Sequence, residues 1–496
     1  MNNLVVLPIV IPLLTGMLLI LFKQYIQLQR TASFLALVGT TLVHCLLLFE
    51  IKQSGVQAVQ MGSWPAPFGI TLATDMFSAL LLLTSNVVAL ICLLFAFHSL
   101  SAEIEETYFY SLFLFLITGV NGSFITGDLF NLYVFFEVLL IASYVLVSIG
   151  GKKKQLREAM KYVVINVLSS SLFLFAIAYL YSITGTLNLA HLSVRVAQTG
   201  QDALITAVSL LLLIVLSIKA GLFLFFWLPG SYSAPPTVIA AVFAALLTKV
   251  GIYGIIRMFS LIFYHETHVT HLFIGILAAL TMILGGLGAS GYGDIKKILT
   301  YNVVIGAGFI LAGLAAFSPE ALNGSIFYLI HDMISKALVF LIGGIVIHLT
   351  GTTKLEDMSG LIRTHPALGW MFFITILALA GIPPLSGFIG KVLVTEGTFV
   401  SGYYWLGAIG LLASIMILYS LLKIFMNAFW GETILSVEEE KGTTKGLMLP
   451  VALLTTLTIV IGIFAQVLVP YVDLATYSLL NPEVYIEAVF SGNPIP

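Results

Sequence analysis

The sequence predicts an all-α polytopic membrane protein with 14 transmembrane helices, including two discontinuous helices and two inverted five-helix repeats. Hydrophobic residues make up 59% of the 496 residues and charged residues only 9%, against roughly 25% charged in soluble domains. Apolar runs of about 20 residues recur along the chain, and that length crosses a hydrocarbon core of roughly 30 Å. Prolines and glycines interrupt two of these runs, which predicts broken helices at membrane depth.

The apolar runs define the spans in chain order. The predicted spans are 4–23, 31–50, 74–98, 109–127, 130–150, 161–184, 204–227, 236–258, 270–290, 298–317, 322–350, 371–398, 405–430 and 448–470. The first run has no preceding basic residue and no small-residue cleavage site, so we expect a retained span and not a secretory signal.

We expect a single transmembrane domain with four parts. They are helices 1–3 over 1–108, a first repeat of helices 4–8 over 109–258, a second repeat of helices 9–13 over 270–430, and helix 14 with an external tail over 448–496.

The composition excludes several other classes of protein. The net charge of −2 indicates no nucleic-acid partner. Cys45 and Cys92 fall inside predicted spans, which argues against a disulfide framework.

Basic residues predict the orientation, because lysine and arginine collect in cytoplasmic loops. Numbering the loops alternately places 13 on one side: Lys23, Arg30, Lys152, Lys153, Lys154, Arg157, Lys161, Lys296, Lys297, Lys354, Arg363, Lys441 and Lys445. The other side has Lys52, Arg195 and Arg257. This distribution predicts an even number of spans with both termini outside.

The five remaining basic residues lie within the spans: Lys219, Lys249, Lys336, Lys391 and Lys423. A lysine near the bilayer centre costs about 2.5–3.5 kcal/mol on insertion scales, so it normally faces a partner, the protein interior or water. The alternative is that the aliphatic stem carries the ammonium to the headgroups. We expect this snorkelling for Lys423, near the end of its span, and a functional role for the deeper lysines.

Acidic and imidazole groups accompany these lysines. Glu137 is the only acidic residue near the middle of its predicted helix, so we expect it to pair with a buried lysine, with Lys219 as the candidate. Moving or neutralising that carboxylate would change the lysine's affinity for its proton; the alternative is a static ion pair. Asp332 and Lys336 stand four residues apart on one helix and can pair. His331 suits a proton relay, although it could instead bond a backbone carbonyl.

Two helix breaks occur in comparable places. "IKAGLFLFFWLPGSYSAPP" contains Lys219 and Pro229, and "GIPPLSGFIGKV" contains Pro383, Pro384 and Lys391. Paired broken helices in two halves point to a transport path. A related phrase follows each break, "IIRMF" and then "LLKIF". The expected topology places these phrases on opposite sides of the membrane, as an inverted repeat requires.

Two further motifs have more ordinary explanations. "HETHVTH" spaces His265, His268 and His271 as a metal site could, but it lacks the HExxH pattern, so we expect no metal. "GGLGASGYGD" has glycine spacings similar to a phosphate loop, but no strand precedes it. Close packing of small residues between membrane helices accounts for it better. No nucleophile triad, haem motif or cluster-binding cysteine set is present, so we expect no cofactor.

The combination of residues resembles a known family. With Glu137, Lys219, Lys249 and Lys391 in this order and the two proline breaks, the chain is similar to the antiporter-like subunits of respiratory complex I, membrane-bound hydrogenases and Mrp-type antiporters. "GDLFNLYVFFEVLLIASYVLVSIGG", "KAGLFLFFWLPGSYSAPPTVIAA" and "GIPPLSGFIGKVLV" look most like the D-subunit family of Mrp-type multisubunit Na⁺/H⁺ antiporters.

The resemblance implies roles residue by residue. It makes Glu137 the carboxylate of the fifth span and Lys219 the lysine of the discontinuous seventh span. It makes Lys249 the bridging lysine of the eighth span and Lys391 the lysine of the discontinuous twelfth span. Lys336 matches a position that is often lysine on the eleventh span. Asp332 departs from the pattern, because certain family members carry histidine there.

The resemblance implies a bacterial cell-membrane subunit that carries protons in exchange for Na⁺, partnered by other membrane subunits and the lipid bilayer. The proton relay would comprise Glu137, Lys219, Lys249, His331, Lys336 and Lys391, with Asp332 as a further partner. The alternative is a proton-pumping subunit of a redox complex such as complex I or a membrane-bound hydrogenase. A scaffold without an ion path is a third reading.

Overall fold

Helices make up most of the computed structural model, which describes residues 3–432 and 440–490. The helices are α1 Leu7–Leu21, α2 Ile26–Ser54, α3 Met76–Ser99, α4 Ala102–Glu105, α5 Phe109–Ile125, α6 Leu129–Ser148, α7 Lys153–Thr184, α8 Leu189–Thr199, α9 Ala203–Ala220, α10 Leu228–Ser233, α11 Thr237–Val242, α12 Thr248–Leu261, α13 Thr267–Gly291, α14 Ile295–Ala316, α15 Pro319–Thr350, α16 Leu361–Thr364, α17 Pro366–Ala380, α18 Ser386–Val400, α19 Tyr404–Ile424, α20 Met448–Ile463, α21 Ala465–Leu480 and α22 Pro482–Phe490. Of the expected C-terminal tail, residues 491–496 lie outside the described part of the chain.

A few other elements connect these helices. The strands β1 Gln57–Gln60 and β2 Thr71–Thr74 form an antiparallel hairpin. Single 3₁₀ turns cover Asn3–Val5, Met61–Ser63 and Leu355–Asp357. Wider π turns cover Phe243–Leu247 and Phe425–Phe429. The first π turn joins α11 to α12, so that Thr237–Leu261 is one continuous helix of 25 residues.

Short polar side chains fix where several helices begin. Asp75, Asp128, Asp202 and Asp294 each accept a hydrogen bond from a backbone N–H in the first turn of α3, α6, α9 and α14, and Ser318 does the same for α15. Such caps satisfy donors that the helix itself leaves unpaired. The sequence therefore positions these helix starts locally.

The centre of the bundle is formed by Thr237–Leu261, α14 and α15. The apolar window of Thr237–Leu261 is 100% buried inside the chain, and those of α14 and α15 are 94% and 89% buried. The corresponding window of α7 is only 39% buried, which places α7 at the periphery. Two of the three central helices carry Lys249, Asp332 and Lys336, and all three side chains are fully buried.

Ten described helices are long and apolar enough to cross a membrane, and the bent pair α20 and α21 raises the number to eleven. This is fewer than the 14 spans expected. The other three expected spans coincide with α1, α5 and α17, which are apolar but contain only 15, 17 and 15 residues.

Helix breaks and a bend change three of the expected spans, while α2 and α7 extend beyond the expected 31–50 and 161–184. The helix carrying Lys219 ends at Ala220 and not at 227, because Gly221 adopts a φ of 72° that terminates it. The span expected over 371–398 consists of α17 and α18 with a break between them. The last span continues beyond 470 as α21, after a bend of 78° at the junction with α20.

Two short strand-like contacts join helix ends at separate places in the fold. At the first, Asp128 lies opposite Asn188, with Leu129 N donating to Leu187 O at 2.8 Å and Leu189 N to Gly127 O at 2.9 Å. At the second, Asp294 lies opposite Lys354, with Ile295 N donating to Thr353 O and Leu355 N to Gly293 O, both at 2.9 Å. The two contacts have the same hydrogen-bond pattern.

Candidate functional site

The structure links Glu137 to Lys219 through Ser170. Lys219 Nζ donates to Ser170 Oγ at 3.1 Å, and Ser170 Oγ donates to Glu137 Oε1. Lys219 and Ser170 are each 4% exposed, whereas Glu137 is only half-buried. In the described residues, therefore, Glu137 and Lys219 do not form the direct ion pair that the sequence predicted. A hydroxyl that accepts from an ammonium and donates to a carboxylate can relay a proton between them.

Lys219 occupies the last turn of α9, immediately before the first helix break. A residue other than glycine would be strained at Gly221, which takes a left-handed conformation. The chain beyond it is not left without partners, since Phe223 N donates to Thr281 Oγ1 of α13 at 2.7 Å. Pro229 lies in the first turn of α10, where its missing N–H removes no hydrogen bond within the helix. Pro229 thus begins the next helix, and Gly221 ends the previous one.

A group of three charges lies at the centre of the bundle. Lys249 Nζ is 2.7 Å from Asp332 Oδ2, and Lys336 Nζ is 3.2 Å from Asp332 Oδ1, with all three side chains 0% exposed. Lys249 also donates to Ala244 O at 2.9 Å, a carbonyl in the π turn. Two ammonium groups share one carboxylate here, so the release of one proton leaves a balanced ion pair.

His331 connects this central group to the second helix break. Its Nδ1 is 2.7 Å from Ser386 Oγ and 3.1 Å from Ser335 Oγ. Ser386 is the first residue of α18, directly after the break. Asp332 and Lys336 follow His331 on the same helix, one and five residues later. His331 is therefore placed between the central charges and the broken helix, bonded to hydroxyl groups and not to a backbone carbonyl.

Lys391 is held by the C-terminal end of α17. Its Nζ donates to Leu379 O at 2.8 Å, Ala380 O at 3.1 Å and Ser414 Oγ at 2.9 Å. The last carbonyls of a helix carry partial negative charge and lack partners within it, which suits a cation. Gly381 is required at this point, because its φ is 85° and a Cβ there would lie 2.6 Å from Lys391 Cδ. The break at Pro383 and Pro384 thus frees the carbonyls that bind the lysine.

Lys423 also binds helix-end carbonyls, but at the surface. Its Nζ donates to Tyr292 O at 2.9 Å and to Ser290 O at 3.3 Å, at the end of α13. The side chain is half-buried. Lys423 therefore caps the C-terminal end of α13 and does not belong with the buried lysines Lys219, Lys249, Lys336 and Lys391.

Arg257 is not in an external connection, where the count of basic loop residues placed it. It is 2% exposed within α12, and its two Nη atoms are each 2.7 Å from the carboxylate of Asp75. Ser78 and Ser478 complete the network. The guanidinium compensates the charge of a carboxylate that is itself fully buried. Sequence could not reveal this pair, because 182 positions separate its members.

A second carboxylate that the sequence analysis did not single out is Asp128, at the N-cap of α6. Burial raises its pKa to about 6, although backbone N–H groups of Asn131 and Phe130 oppose the shift. Asp128 lies in the strand-like contact with Asn188. The only signal in the sequence was the phrase "GD" before an apolar run, which predicts a helix cap and not burial.

The remaining motifs do not contribute to the site. His271 is buried against Thr270, and His265 stacks on Tyr264. The described residues contain no group of three His, Cys, Asp or Glu side chains that could hold a metal. The glycine-rich phrase ends α13, where Gly286 and Gly288 lie against Met416 and Tyr301.

Hydroxyl groups are the members of the site that sequence reasoning missed. Ser170, Ser335, Ser386 and Ser414 each bond one of the expected titratable groups. Ser170 stands in a run of three serines over 169–171, which marked a polar position without indicating its partners.

Comparisons with known proteins agree on the family. Residues 126–417 match the family model described as "NADH:quinone oxidoreductase/Mrp antiporter, TM". The D subunit of the Na(+)/H(+) antiporter of Bacillus subtilis (strain 168) is 48% identical over 490 residues, 99% of each chain.

Solved structures show the same arrangement of the chain. A chain of the Mrp complex from Dietzia sp. DQ12-45-1b superposes with a TM-score of 0.91 at 30% identity, over 99% of this chain and all of that one. A chain of the membrane-bound sulfane sulfur reductase, an archaeal respiratory membrane complex, superposes with a TM-score of 0.92 at 26% identity, over 98% of this chain and all of that one.

Proposed function

The chain belongs to the NADH:quinone oxidoreductase/Mrp antiporter family, and from this premise we propose how its buried charges move protons. The protein is a multi-pass membrane subunit of a multisubunit Na⁺/H⁺ antiporter and is the counterpart of the D subunit in Bacillus subtilis. Its partners are the other membrane subunits of an Mrp complex. It acts as a transporter subunit and not as an enzyme.

The mechanism rests on one observation, the two consecutive hydrogen bonds that link Lys219 to Ser170 and Ser170 to Glu137. A proton on Lys219 can pass to Ser170 Oγ as the hydroxyl proton passes to Glu137, because both hydrogen bonds already exist. Movement of the half-buried carboxylate would break the hydrogen bond from Ser170 and leave Lys219 with a different proton affinity. Glu137 and Lys219 thus act as a switch for proton transfer, and the hydroxyl of Ser170 connects them.

From Lys219 the proposed path continues through Lys249, Lys336 and His331 to Lys391. Asp332 holds Lys249 and Lys336 together, and Ser386 joins His331 to the second helix break. Inward proton movement driven by the membrane potential supplies roughly 2.3 kcal/mol per charge per 100 mV. Uptake of more than one proton per Na⁺ would then drive Na⁺ out of the cell. The transported ions are H⁺ and Na⁺, and the chain itself needs no cofactor.

We also propose that the chain crosses the membrane 14 times and contains two inverted repeats, over 109–258 and 270–430. Supporting this, Gly127, Asp128 and Leu129 lie 166 positions before Gly293, Asp294 and Ile295. The two strand-like contacts repeat the same hydrogen bonds at this spacing. α7 and α15 are both 32 residues long, and their first residues are also 166 positions apart.

The same spacing relates the phrases "IIRMF" and "LLKIF", since Arg257 and Lys423 are 166 positions apart. An odd number of spans per repeat inverts the second copy relative to the first. The short apolar helices α1, α5 and α17 are then spans too, and α17 with α18 forms one broken span. Both termini are proposed to lie outside, with the basic loops in the cytoplasm.

The alternative function is that of a proton-pumping membrane subunit in a redox complex. The high TM-score to the sulfane sulfur reductase chain is compatible with it, because the fold serves both kinds of complex. The sequence favours the antiporter, since 48% identity to an antiporter subunit over the whole chain exceeds the 26% identity to the reductase chain.

The deciding experiment measures Na⁺-dependent dissipation of a pH gradient in everted vesicles from a strain that lacks its own antiporters. The complete gene cluster is compared with the same cluster carrying Lys219→Ala, with Lys52→Ala as a control that removes an exposed lysine. We expect exchange in the wild type and the control, and none in Lys219→Ala although the complex assembles. Exchange by Lys219→Ala at the wild-type rate would exclude the relay. An assembled wild-type complex without Na⁺-dependent exchange would favour the redox alternative.

A further inference from the structure

A charged cavity lies beside the first turns of α7 and the first helix break, and the proposed proton path does not use it. Its volume is about 350 Å³. Trp227 and three residues of the short helix α10, namely Pro229, Gly230 and Ser233, line one part of it. The peripheral helix α7 forms one wall and the start of the central helix α14 forms the other.

Positive charge dominates the rim. Lys154, Arg157 and Lys161 of α7 and Lys297 of α14 line the cavity, together with one carboxylate, Glu158. Arg157 and Lys161 pair with Glu158 at 2.9 Å and 3.2 Å. Among the ion pairs of the described residues, none includes Lys154 or Lys297. Lys297 Nζ lies 4.4 Å from the centre of the Tyr292 ring, a contact that does not neutralise its charge. The cavity therefore carries three more positive than negative charges, and no carboxylate in the described part of the chain neutralises two of its lysines.

Aromatic and apolar side chains continue from this rim towards the lipid. Phe226 in the break is 69% exposed and lines the cavity with Tyr292 and Tyr301. Further along the outer face of α7, Met160 and Val164 are 65% and 58% exposed. The site thus joins an anion-binding rim to an apolar surface, and a soluble anion would use only the rim.

We infer that this cavity binds the phosphate of an anionic phospholipid, with Lys154 and Lys297 as its ligands and the acyl chains along Phe226 and α7. Basic pockets between membrane helices are suited to anionic headgroups, and the long lysine stems can follow an apolar wall while their ammonium groups meet the phosphate. Arg157 and Lys161 offset the charge of Glu158, so that the carboxylate does not repel the ligand.

The bound phosphate would join parts of the chain that the helix break separates. Lys154 belongs to the first proposed repeat and Lys297 to the second, and α10 lies between them. A lipid held by both lysines would cover α10 and restrict movement of the segment 221–233. The binding site itself depends only on the cavity and its charges, and not on the proposed antiport.

The first test counts the phospholipids that remain bound to the purified multisubunit complex by native mass spectrometry. We compare the wild type, the double variant Lys154→Gln and Lys297→Gln, and the control Lys153→Gln. Lys153 is an exposed neighbour that does not line the cavity. We expect the double variant to retain at least fivefold less of one tightly bound anionic phospholipid, and the control to match the wild type. Equal retention in the double variant and the control would overturn the inference.

The second test separates a lipid from free phosphate or from a covering subunit. The complex is placed in nanodiscs of phosphatidylcholine, with phosphatidylglycerol or with 10 mM inorganic phosphate added, and hydrogen exchange of 221–233 is measured. Slower exchange only with phosphatidylglycerol, and only when Lys154 and Lys297 are intact, is the expected result. Equal protection by inorganic phosphate would overturn the inference, as would full protection by the partner subunits without either anion. Neither readout requires ion transport, so a failure of the antiport proposal would leave the result interpretable.

Discussion

Lys219 and Lys391 lie on opposite sides of their helix breaks, and their ammonium groups bond different kinds of partner. Lys219 is in the last turn of α9, before Gly221, whereas Lys391 is in α18 and reaches back to Leu379 O and Ala380 O before Gly381. Lys219 bonds a hydroxyl that donates to a carboxylate, whereas Lys391 bonds two backbone carbonyls and the hydroxyl of Ser414, which donates to Gly410 O. Movement of Glu137 can therefore change the charge near Lys219, whereas the hydrogen bonds of Lys391 among the described residues include no side-chain carboxylate.

The two proposed repeats also distribute charge differently on the same scaffold. Ser170 and Lys336 are 166 positions apart, as are Glu137 and Val303. The first repeat thus has a carboxylate and a hydroxyl where the second has an apolar residue and a lysine. We propose that the first half provides the switch and that the centre holds two lysines on one carboxylate, where one proton can be released. Four substitutions test this contrast.

Asp332→Asn is expected to have the largest effect, because it leaves Lys249 and Lys336 buried without a carboxylate. Removing one partner of a buried ion pair typically costs about 3–5 kcal/mol. We expect a strong fall in the yield and thermal stability of the complex. Adding Lys249→Met restores the net charge of the group and should recover much of the stability. An Asp332→Asn complex as stable as the wild type would show that the centre is not held by this ion pairing.

Ser170→Ala removes the hydroxyl that links Lys219 to Glu137. Hydrogen bonds to charged groups contribute about 1.5–3 kcal/mol, so we expect the initial rate of Na⁺-dependent exchange to fall about ten- to a hundredfold without loss of assembly. Ser171→Ala is the matched control, since its hydroxyl is exposed and bonds only Val167 O of the same helix. Equal rates in both variants would mean that the switch does not use Ser170.

Asp128→Asn tests the corresponding helix caps of the two repeats. The folded-state pKa of Asp128, about 6, exceeds the ordinary value of 3.8, so its contribution to stability falls as the pH rises from about 4 to 6 and stays low above that. Asparagine keeps the cap and removes the buried charge. We expect a gain in unfolding free energy that is about 1–2 kcal/mol larger at pH 8 than at pH 5.

The comparison for Asp128→Asn is Asp294→Asn, at the equivalent cap. Asp294 Oδ2 accepts a hydrogen bond from Thr353 Oγ1 at 2.6 Å, whereas Leu187 occupies the corresponding place near Asp128. We expect no stabilisation at pH 8 from Asp294→Asn. Thermal unfolding of both complexes at the two pH values measures the difference, and identical behaviour would refute it.

Lys423→Gln is expected to have the smallest effect. A half-exposed cation at a helix C-terminus contributes about 0.3–1 kcal/mol, and Lys423 makes only such contacts, with Tyr292 O and Ser290 O. Exchange rates should stay within twofold of the wild type, and the unfolding temperature should fall only slightly. A loss of exchange comparable to that in Ser170→Ala would place Lys423 on the ion path.

Much of the fold and of the candidate site could be predicted because the signals are local. Apolar runs of spanning length place the helices, "GD" phrases cap α6 and α14, and the glycine and proline breaks lie within single runs. A charged residue inside such a run is also visible without a structure. Glu137, Lys219, Lys249, Asp332, Lys336 and Lys391 could thus be named from composition and position alone.

The tertiary structure decided which of these groups meet. Lys249 and Asp332 are 83 positions apart and lie on different helices. Lys219 reaches Glu137 only through Ser170, and Arg257 is buried against Asp75 and not exposed in a loop. A hydroxyl or a carboxylate has no preferred partner until helices pack around it, because its hydrogen bonds depend on distances of about 3 Å between separate helices. The sequence by itself determined which lysines and which carboxylates lie inside apolar runs, and the packing of the helices determined which groups each of them bonds.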